Sequence, residues 1–480
     1  MDAVVRRLSL AAALVLSAAQ RPGYDIVILK GRVMDPASGL DAVRNIGITN
    51  GRIASITTAA LVGRDTIDAD SLVVAPGFID LHQHAQDSIA YRVEATAGIT
   101  TALELESGTA DVDDWYASRV DKAMINYGVS AGHERVRMKV LPDSGRAVPS
   151  GDAAHRAATP EELDEIQRRL RSALRRGAVA VGILLGDTPG ASSGEVLAVF
   201  RVAAREGATV HVHMRPVNAD DDVVDLEEVL AASFLTGAPV HVVHLTATAQ
   251  AMTPQYLELI TAARAKGIDV TTEMYPYTSG MAEIESAAFD SWATKSDDWF
   301  ARKEWQETGE RLTRESFERY RARGGYVILH PANEDSAETW VRWGLASPLP
   351  MIATDGILEH GVGHPRLAGT HARVLGRYVR DTHLLTLMEA LRKMTLAPAQ
   401  RLERRVPSMR RKGRLAVGAD ADVVVFNPER IMDRATYGEP TLQPDGVEYV
   451  IVNGTVVVRG GQLVEGVAPG RAVRAPVSTK

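Results

Sequence analysis

The chain contains 480 residues and no cysteine. Because it has no thiol, it can form neither a disulfide framework nor a thiolate metal site, so any metal must be held by His, Asp, Glu or a modified Lys. The chain also lacks a dense run of Lys and Arg, and its formal net charge is −7. These two features argue against a nucleic-acid partner and favour a small-molecule substrate.

Long apolar runs are absent except at the N-terminus. There, two arginines precede an apolar stretch that starts at Leu8, and small residues follow it up to Ala19. This pattern predicts a signal peptide over residues 1–19 and therefore a periplasmic or secreted protein. The alternative is a first buried helix, because Asp2 weakens the positive start. No other segment is long enough to cross a bilayer, so no membrane partner is expected after cleavage.

Both ends of the remaining chain are rich in short, alternating β-like segments, over residues 20–75 and 406–470, with a tail at 471–480. We expect these ends to meet as one small β-sandwich, although two unrelated β extensions would give the same pattern. The turn signals are Lys30-Gly31, Asn50-Gly51 and Asn453-Gly454.

Residues 76–405 show a different rhythm of strand, loop and helix. One helix start is clear, with Thr159 as N-cap, Pro160 in the first turn and Glu162 completing a capping box. No GxGxxG motif follows the first strand, so the repeated units fit a (β/α)8 barrel better than an open doubly wound sheet. The expected architecture is an α/β barrel of this kind with a small β-sandwich domain built from both chain ends.

An insertion at about residues 282–345 interrupts the rhythm. It is charged and aromatic, and it holds five of the six tryptophans. A helical excursion that packs on the barrel rim and a lid that covers the substrate are equally compatible with this composition.

Polar residues follow several of the predicted barrel strands. In APGFIDLHQH, two histidines at alternate positions of a strand end point the same way and form half of a divalent metal site. Other His and acidic residues stand at the ends of later strands, which a barrel brings together. The expected metal ligands are His82, His84, Glu106, His213, His244 and Asp355.

Neighbouring residues offer alternatives to some of these ligands. His213 is preferred to His211 because it lies nearer the strand end, which leaves His211 as a residue of the barrel interior. Two acids, Glu104 and Glu106, share one face of LELESG and need a positive partner inside a barrel. Glu106 is the expected bridging ligand, with Glu104 as the alternative.

Asp355, in TDG, ends the last predicted barrel strand. A carboxylate there could bind one ion and serve as the catalytic residue that takes a proton from water and passes it to a leaving amine. The alternative is that Asp355 has only a structural role, in a turn or as a helix cap.

Together these residues resemble the amidohydrolase superfamily, and more closely the N-acyl-D-amino-acid deacylases. The resemblance rests on PGFIDLHQH, GAVAVGILLGDTPGASSGE, HVHMR, VVHL, EMYPYTSG, MIATDG and GHPRLAGTHARVLGRYVR. It covers nearly everything from Tyr24 to about Val464, and TTALELESG is similar to the D-glutamate deacylase subgroup. The resemblance implies zinc, as one or two divalent ions.

The chain departs from this family at two positions. The family's second strand ends in an element with a metal-binding cysteine, whereas this chain has LELESG with Ser107 near that position. The family also commonly has a lysine after the strand-six histidine that helps to hold the substrate carboxylate, and here Thr246 stands there. The replacements we expect are Arg215 and Arg366, since guanidinium binds carboxylates bidentately, with Tyr277 lining the pocket.

The function that follows is hydrolysis of the amide bond of N-acyl-D-amino acids, with N-acyl-D-glutamate as the favoured candidate. The enzyme class is a hydrolase of carbon–nitrogen bonds other than peptide bonds, acting on linear amides. A cyclic amide or a dipeptide is the alternative substrate. A binding or scaffold protein on a retired site is the alternative from another class.

Overall fold

The computed structural model describes residues 23–215 and 223–478, so the predicted signal peptide lies outside the described residues. Within these residues the chain forms 23 strands. They are β1 (Tyr24–Asp35), β2 (Leu40–Thr49), β3 (Arg52–Thr57), β4 (Gly63–Asp68), β5 (Val73–Pro76), β6 (Phe78–Asp80), β7 (Ile99–Thr109), β8 (Asn126–Gly132), β9 (Val181–Leu184), β10 (Val210–His213), β11 (Val240–Val242), β12 (Val270–Met274), β13 (Gly280–Glu283), β14 (Lys303–Trp305), β15 (Glu310–Arg311), β16 (Tyr326–Leu329), β17 (Pro350–Ile352), β18 (Leu358–Glu359), β19 (Val362–Gly363), β20 (Val423–Phe426), β21 (Val447–Val452), β22 (Thr455–Arg459) and β23 (Gln462–Leu463).

The same residues form 15 α-helices, together with 3-10 helices at Gln250–Met252, Ala287–Thr294 and Pro407–Arg411 and a π-helical segment at Val374–Asp381. None of the described helices is both long and apolar enough to cross a membrane. The α-helices are α1 (Ser88–Thr96), α2 (Val112–Ala117), α3 (His133–Val140), α4 (Asp152–His155), α5 (Pro160–Arg175), α6 (Ser193–Glu206), α7 (Val224–Thr236), α8 (Leu245–Ala249), α9 (Thr253–Ala265), α10 (Asp297–Ala301), α11 (Arg314–Arg323), α12 (Glu334–Ala346), α13 (Arg366–Arg373), α14 (Leu387–Met394) and α15 (Leu396–Leu402).

The central sheet has eight strands in the order β17-β12-β11-β10-β9-β8-β7-β6, and every neighbouring pair is parallel. Its two edge strands meet just beyond their carboxyl ends, where Gln83 bridges to Gly356 and the Asp355 N–H donates to the His82 carbonyl at 2.7 Å. The sheet is therefore a nearly closed barrel. Its helices pack outside it, because buried parallel strands need cover on their outer face.

The predicted start of α5 is confirmed. The Thr159 hydroxyl accepts from the Glu162 N–H, the Glu162 side chain accepts from the Thr159 N–H, and Pro160 occupies the first helical turn. These contacts satisfy backbone donors that a helix start would otherwise leave without partners.

Both chain ends contribute to a second sheet with the order β23-β22-β21-β20-β5-β1-β2-β3, to which β4 adds by pairing with β1. The N-terminal and C-terminal parts join where β5 pairs antiparallel with β20. A separate cluster of buried aliphatic side chains, with Ile28, Ile46 and Val425 among them, forms the core of this region. The predicted fold class, an α/β fold with a (β/α)8 barrel and a small β-sandwich domain built from both chain ends, is thus confirmed.

Two of the three predicted turns are confirmed. Asn50 and Gly51 have φ of 52° and 74° between β2 and β3, and Asn453 and Gly454 have φ of 48° and 81° between β21 and β22. These are the positive values that tight hairpins require. The turn predicted at Lys30-Gly31 is wrong: β1 continues through it, and the register with β2 shifts there as a bulge.

The insertion is not purely helical. Besides α10, α11 and α12 it contains the four-stranded sheet β13-β16-β14-β15. Its own apolar core includes Phe300, Trp305 and Phe317. It reaches the carboxyl end of the barrel, where the Ser286 hydroxyl donates to Asp187 in the loop after β9.

Candidate metal centre

All six predicted metal ligands lie at the carboxyl end of the barrel, and this position follows from the parallel strands. His82 and His84 follow β6, Glu106 is in β7, and His213 ends β10. His244 follows β11 with φ of 32°, and Asp355 follows β17 with φ of 51°. Positive φ is uncommon at residues other than glycine, and residues held in this way occur in turns and cluster at active sites.

Four side chains form the first group of donors. His82 Nε2 and His84 Nε2 are 3.1 Å apart. One oxygen of Glu106, Oε2, lies 3.2 Å from His82 Nε2 and 3.4 Å from His84 Nε2. Asp355 Oδ1 lies 3.4 Å and 3.3 Å from the same two nitrogens. All four donors therefore face one point.

The other oxygen of Glu106 belongs to a second group. Its Oε1 lies 3.1 Å from His213 Nδ1 and 3.1 Å from His244 Nε2, and these two nitrogens are also 3.1 Å apart. Glu106 thus stands between the two groups with one oxygen directed to each. This is the arrangement expected of a bridging ligand.

Glu104, the alternative bridging residue, lies behind the first group. Its Oε2 is 2.7 Å from His84 Nδ1, and its Oε1 accepts from the Ser107 N–H at 2.9 Å. Glu104 therefore orients His84 and does not face the point where the donors converge. Ser107 contributes its backbone to this contact.

A second carboxylate behind the centre, Glu273 in β12, was missed by the sequence analysis. Its Oε1 is 2.6 Å from His82 Nδ1, and its Oε2 is 3.1 Å from His241 Nε2. His241 in turn is 2.8 Å from the Thr271 hydroxyl through Nδ1. The available signal was an acid inside the buried strand VTTEM, which needs a partner for the same reason as Glu104.

The hydrogen bonds behind the histidines indicate what the donors can hold. A ring nitrogen that faces a carboxylate donates its proton to it, so in the neutral ring the opposite nitrogen carries a lone pair. His82 and His84 therefore point two lone pairs at one place, together with carboxylate oxygens. Donors about 3.3 Å apart match a tetrahedral ion with bonds of about 2.0 Å. The residues present thus fit a divalent cation.

The electrostatics of the centre agree with a cation site. Burial lowers the pKa of His82, but the charge of Glu106 and the neighbouring Asp355 and Glu273 outweighs burial and raises that pKa well above its ordinary value. Burial would likewise raise the pKa of Asp355, yet the charges of Arg366 and His82 hold it below its ordinary range. The carboxylates stay ionised, and their field favours positive charge at the centre.

The three predicted substrate-binding residues occupy different surroundings. Arg366 is 1% exposed, and its Nη2 lies 2.9 Å from Asp355 Oδ1. By contrast, Arg215 is paired with Glu228 at 2.9 Å and donates to the carbonyls of Ala191 and Pro189.

Tyr277 is buried close to Arg366's helix, and its hydroxyl donates to Asp433 at 3.3 Å. Arg373 lies over its ring, with the guanidinium carbon 4.7 Å from the ring centre. His364 meets the same ring edge-on. Arg366 is therefore the predicted substrate-binding residue that the structure brings into contact with the metal-ligand set.

A parallel barrel with a His- and carboxylate-rich centre at its carboxyl end defines a class, the metal-dependent barrel hydrolases. Comparison with known proteins gives the family. The model of the amidohydrolase family matches residues 137–458, and the chain belongs to this family. The predicted enzyme class, a hydrolase of carbon–nitrogen bonds, is confirmed.

Relatives match nearly the whole chain. It is 32% identical to the N-acyl-D-glutamate deacylase of Alcaligenes xylosoxydans xylosoxydans, over 95% of this chain and 97% of the relative. It is 29% identical to the D-aminoacylase of the same organism, over 90% and 94%. A crystal structure of the N-acyl-D-glutamate deacylase from Bordetella bronchiseptica, complexed with zinc and a phosphonate inhibitor, is 29% identical over 94% of this chain and 100% of that one, with a TM-score of 0.79.

Proposed function

We propose that this protein is a zinc-dependent deacylase that hydrolyses N-acyl-D-amino acids to a carboxylate and a free D-amino acid. The observation that carries the proposal is the pair of donor groups joined by Glu106, in a chain whose relatives are deacylases of this kind. Zinc suits a donor set of imidazole nitrogens and carboxylate oxygens. It is also the metal in the Bordetella structure.

The residues that would hold zinc are His82, His84 and Asp355 on one side and His213 and His244 on the other, with Glu106 shared. A bound zinc ion would supply Lewis-acid polarisation of the carbonyl and a water of lowered pKa. The structure supports two sites, because each oxygen of Glu106 faces its own group of nitrogens.

Asp355 is the residue placed to move the proton. The charges of Arg366 and His82 lower its pKa and keep the carboxylate ionised, so it can accept a proton from water, and the leaving amine then receives that proton. Arg366 fixes the carboxylate from one side at 2.9 Å. The backbone N–H of Asp355 donates to the His82 carbonyl at 2.7 Å, which holds the backbone of Asp355 next to β6.

Arg366 is also the group we assign to the substrate's α-carboxylate. Its Nε and Nη1 make no hydrogen bond to any residue in the described part of the chain, although the side chain is 1% exposed. A buried guanidinium with free donors is ready for a bidentate anion. Arg215 cannot take this role without releasing Glu228.

The test is release of free amino acid from matched N-acetyl-D- and N-acetyl-L-amino acids, with and without a chelator. We expect hydrolysis of D substrates only, its loss on chelation and its return with added Zn²⁺. Arg366→Lys should raise KM by at least about 10-fold, since a point charge replaces a bidentate contact. Arg215→Lys is the matched control and should leave KM nearly unchanged. Absence of D-selective, chelator-sensitive hydrolysis would overturn the proposal.

A further inference from the structure

The backbone of Arg366 is held by a buried histidine two residues earlier. The Arg366 N–H donates to His364 Nδ1 at 3.0 Å, and His364 is fully buried. The other ring nitrogen of His364, Nε2, lies 3.1 Å from the carbonyl oxygen of Ser279, which directly precedes β13. His364 therefore connects the first residue of α13 to the start of the insertion's sheet.

The two partners of His364 fix the state of its ring. A carbonyl oxygen can only accept, so Nε2 carries the proton that it donates to Ser279, and Nδ1 keeps the lone pair that accepts from Arg366. A second proton on the ring would displace this backbone N–H. Burial lowers the pKa of His364 well below its ordinary value, and the charge of Arg366 lowers it further. The ring is therefore neutral and joins the two backbone groups in one orientation.

Ser279 is in turn held by the insertion through its hydroxyl. Its Oγ lies 3.1 Å from His330 Nδ1, and His330 Nε2 lies 3.0 Å from Glu304 Oε2. The carboxylate accepts from Nε2–H, which leaves the lone pair of Nδ1 for the Ser279 hydroxyl. Arg311 Nε lies 3.2 Å from the same oxygen of Glu304. A continuous series of polar contacts thus runs from the insertion to the backbone of Arg366.

The sheet of the insertion brings the members of this series together. Antiparallel pairing of β13 with β16 places Ser279 beside His330, because each residue lies just outside the paired ends of these strands. The strand β14 pairs with the other edge of β16 and supplies Glu304. The ring of Tyr437 meets the rings of His330 and His364 edge-on, with 5.5 Å and 5.1 Å between ring centres. Tyr437 therefore packs against both histidines.

The position of the Arg366 backbone matters because the guanidinium has two tasks in the proposed function. Its Nη2 lies 2.9 Å from Asp355 Oδ1, and its central carbon lies 4.6 Å from the centre of the Tyr275 ring. Its Nε and Nη1 are the donors assigned to the substrate's α-carboxylate. A bidentate contact needs the guanidinium plane in one orientation, so a shift of the first turn of α13 would weaken it.

We propose that His364 is a positioning residue for Arg366. The insertion in turn sets the position of His364, through Ser279 and His330. This inference rests on the proposed function, in which Arg366 binds the α-carboxylate of the substrate. It gives the insertion a part in substrate binding that requires none of these three residues to touch the substrate.

Two substitutions of His364 separate its two contacts. In His364→Asn, the amide oxygen takes the place of Nδ1 and can still accept from the Arg366 N–H. In His364→Gln, the amide nitrogen takes the place of Nε2, so the contact to Ser279 is kept and the Arg366 N–H loses its acceptor. For N-acetyl-D-norleucine and the zinc-loaded enzyme, we expect His364→Gln to raise KM at least about 5-fold and to change kcat less.

The comparison of the two variants distinguishes positioning from packing. His364→Asn keeps the acceptor for Arg366 and should raise KM less than His364→Gln does. A role in packing alone predicts the opposite order, because asparagine is smaller and leaves the larger cavity. KM does not depend on the amount of folded enzyme, so a loss of stability does not imitate the expected result. The inference is overturned if His364→Asn raises KM as much as His364→Gln, or more.

The matched control is the same substitution at another histidine of α13. His371 is equally buried and stacks on Phe78, and its ring nitrogens make no hydrogen bond to the described residues. His371→Gln should leave KM unchanged. A rise in KM equal to that of His364→Gln would show that any disturbance of this helix has the same effect, which would contradict the inference.

His330→Leu tests the link to the insertion at a side chain that is 11% exposed. It removes the acceptor of the Ser279 hydroxyl and should raise KM at least about 2-fold, the effect of one weakened hydrogen bond. Combined with His364→Asn, which already lacks the contact to Ser279, it should have no further effect. Additive effects would show that His330 acts by another route, and the proposed series of contacts would be wrong. This pair also tests the inference if His364→Gln does not fold.

Arg366→Lys separates failure of this inference from failure of the proposed function. If Arg366→Lys raises KM and His364→Gln does not, the inference is overturned and the proposed function stands. If neither raises KM, the assignment of Arg366 to the α-carboxylate fails, and the inference fails with it. Absence of D-selective, chelator-sensitive hydrolysis in the wild type would instead count against the proposed function itself.

Discussion

The two ends of the barrel use buried charge in opposite ways. At the amino end, cations from α14 and the residues after it donate to backbone carbonyls. Lys393 donates to the Pro350 carbonyl at 3.0 Å, Arg401 to that of Val240 at 3.3 Å, and Arg405 to that of Ala178 at 3.0 Å. At the carboxyl end, imidazole nitrogens and carboxylate oxygens converge in two groups that share Glu106.

This difference indicates that the buried charges at the amino end serve stability and those at the carboxyl end serve function. The cations at the amino end donate to backbone carbonyls at, or just before, the first residues of the strands, and so satisfy acceptors that burial would otherwise leave without partners. At the carboxyl end, Nε2 of His82 and Nε2 of His84 converge with carboxylate oxygens of Glu106 and Asp355, which is the arrangement of a cation site. This agrees with the general division of such barrels into a stabilising bottom and a catalytic top.

The largest effect is expected from Glu106→Gln. The amide replaces one of the two ionised oxygens by an N–H₂ group, which cannot ligate an ion, so one donor group loses its shared carboxylate. We expect at least about a 10³-fold loss of kcat, above the 10–100-fold typical of supporting residues, together with loss of bound metal. Metal analysis of the purified protein and steady-state kinetics measure both.

The same substitution two residues earlier in β7, at Glu104, is the control for Glu106. Glu104→Gln keeps an oxygen able to accept from His84 Nδ1, so the metal content should change less than in Glu106→Gln. Equal metal content and activity in Glu106→Gln and the wild type would contradict the bridging role.

An intermediate effect is expected from Glu273→Gln. Glu273 bonds His82 at 2.6 Å and His241 at 3.1 Å, so the amide weakens the contact that fixes the ring of a ligand. The expected change is 10–100-fold in metal affinity, with activity recovering as Zn²⁺ is added. Thr271→Val, which removes only the contact to His241 Nδ1, should have a smaller effect. Unchanged metal affinity would show that Glu273 has no positioning role.

Most of the polar residues at the carboxyl end of the barrel could be predicted from the sequence, because a single structural rule places them there. Parallel strands of a barrel place their carboxyl ends together, so polar residues such as His213 and Asp355 could be grouped without knowing any contact. The Asn-Gly turns were predictable because positive φ is a local requirement. The fold class followed from the rhythm of the strands and helices.

What could not be predicted depends on contacts between distant residues. Glu273 is 191 residues from His82, and nothing local shows that their strands adjoin the same point across the barrel. Arg215 looked free until its pairing with Glu228, 13 residues later, was visible. Lys30-Gly31 has the composition of a turn, yet long-range pairing of β1 with β2 and β4 keeps it inside a strand.

The smallest effect on activity is expected at the amino end, from Lys393→Met. The side chain is 5% exposed, and burial, with a contribution from Arg392, lowers its pKa to about 8. Removing it leaves the Ser347 and Pro350 carbonyls without their donor, at a cost of about 1–3 kcal/mol in the free energy of unfolding. Activity per folded molecule should not change, because these contacts lie at the opposite end from the metal centre.

The lowered pKa of Lys393 predicts the direction in which the free energy of unfolding changes with pH. Between pH 8 and about 10.5 the unfolded chain holds the Lys393 proton more tightly than the folded chain, so the wild type gains stability as pH rises through this window. Lys393→Met lacks this gain, whereas Arg392→Met, an exposed neighbour, should keep most of it. Urea unfolding at pH 7.5, 9 and 10 measures the difference. Parallel pH curves for the wild type and Lys393→Met would show that the buried ammonium is not penalised, and the contrast between the two ends of the barrel would then lose its energetic basis.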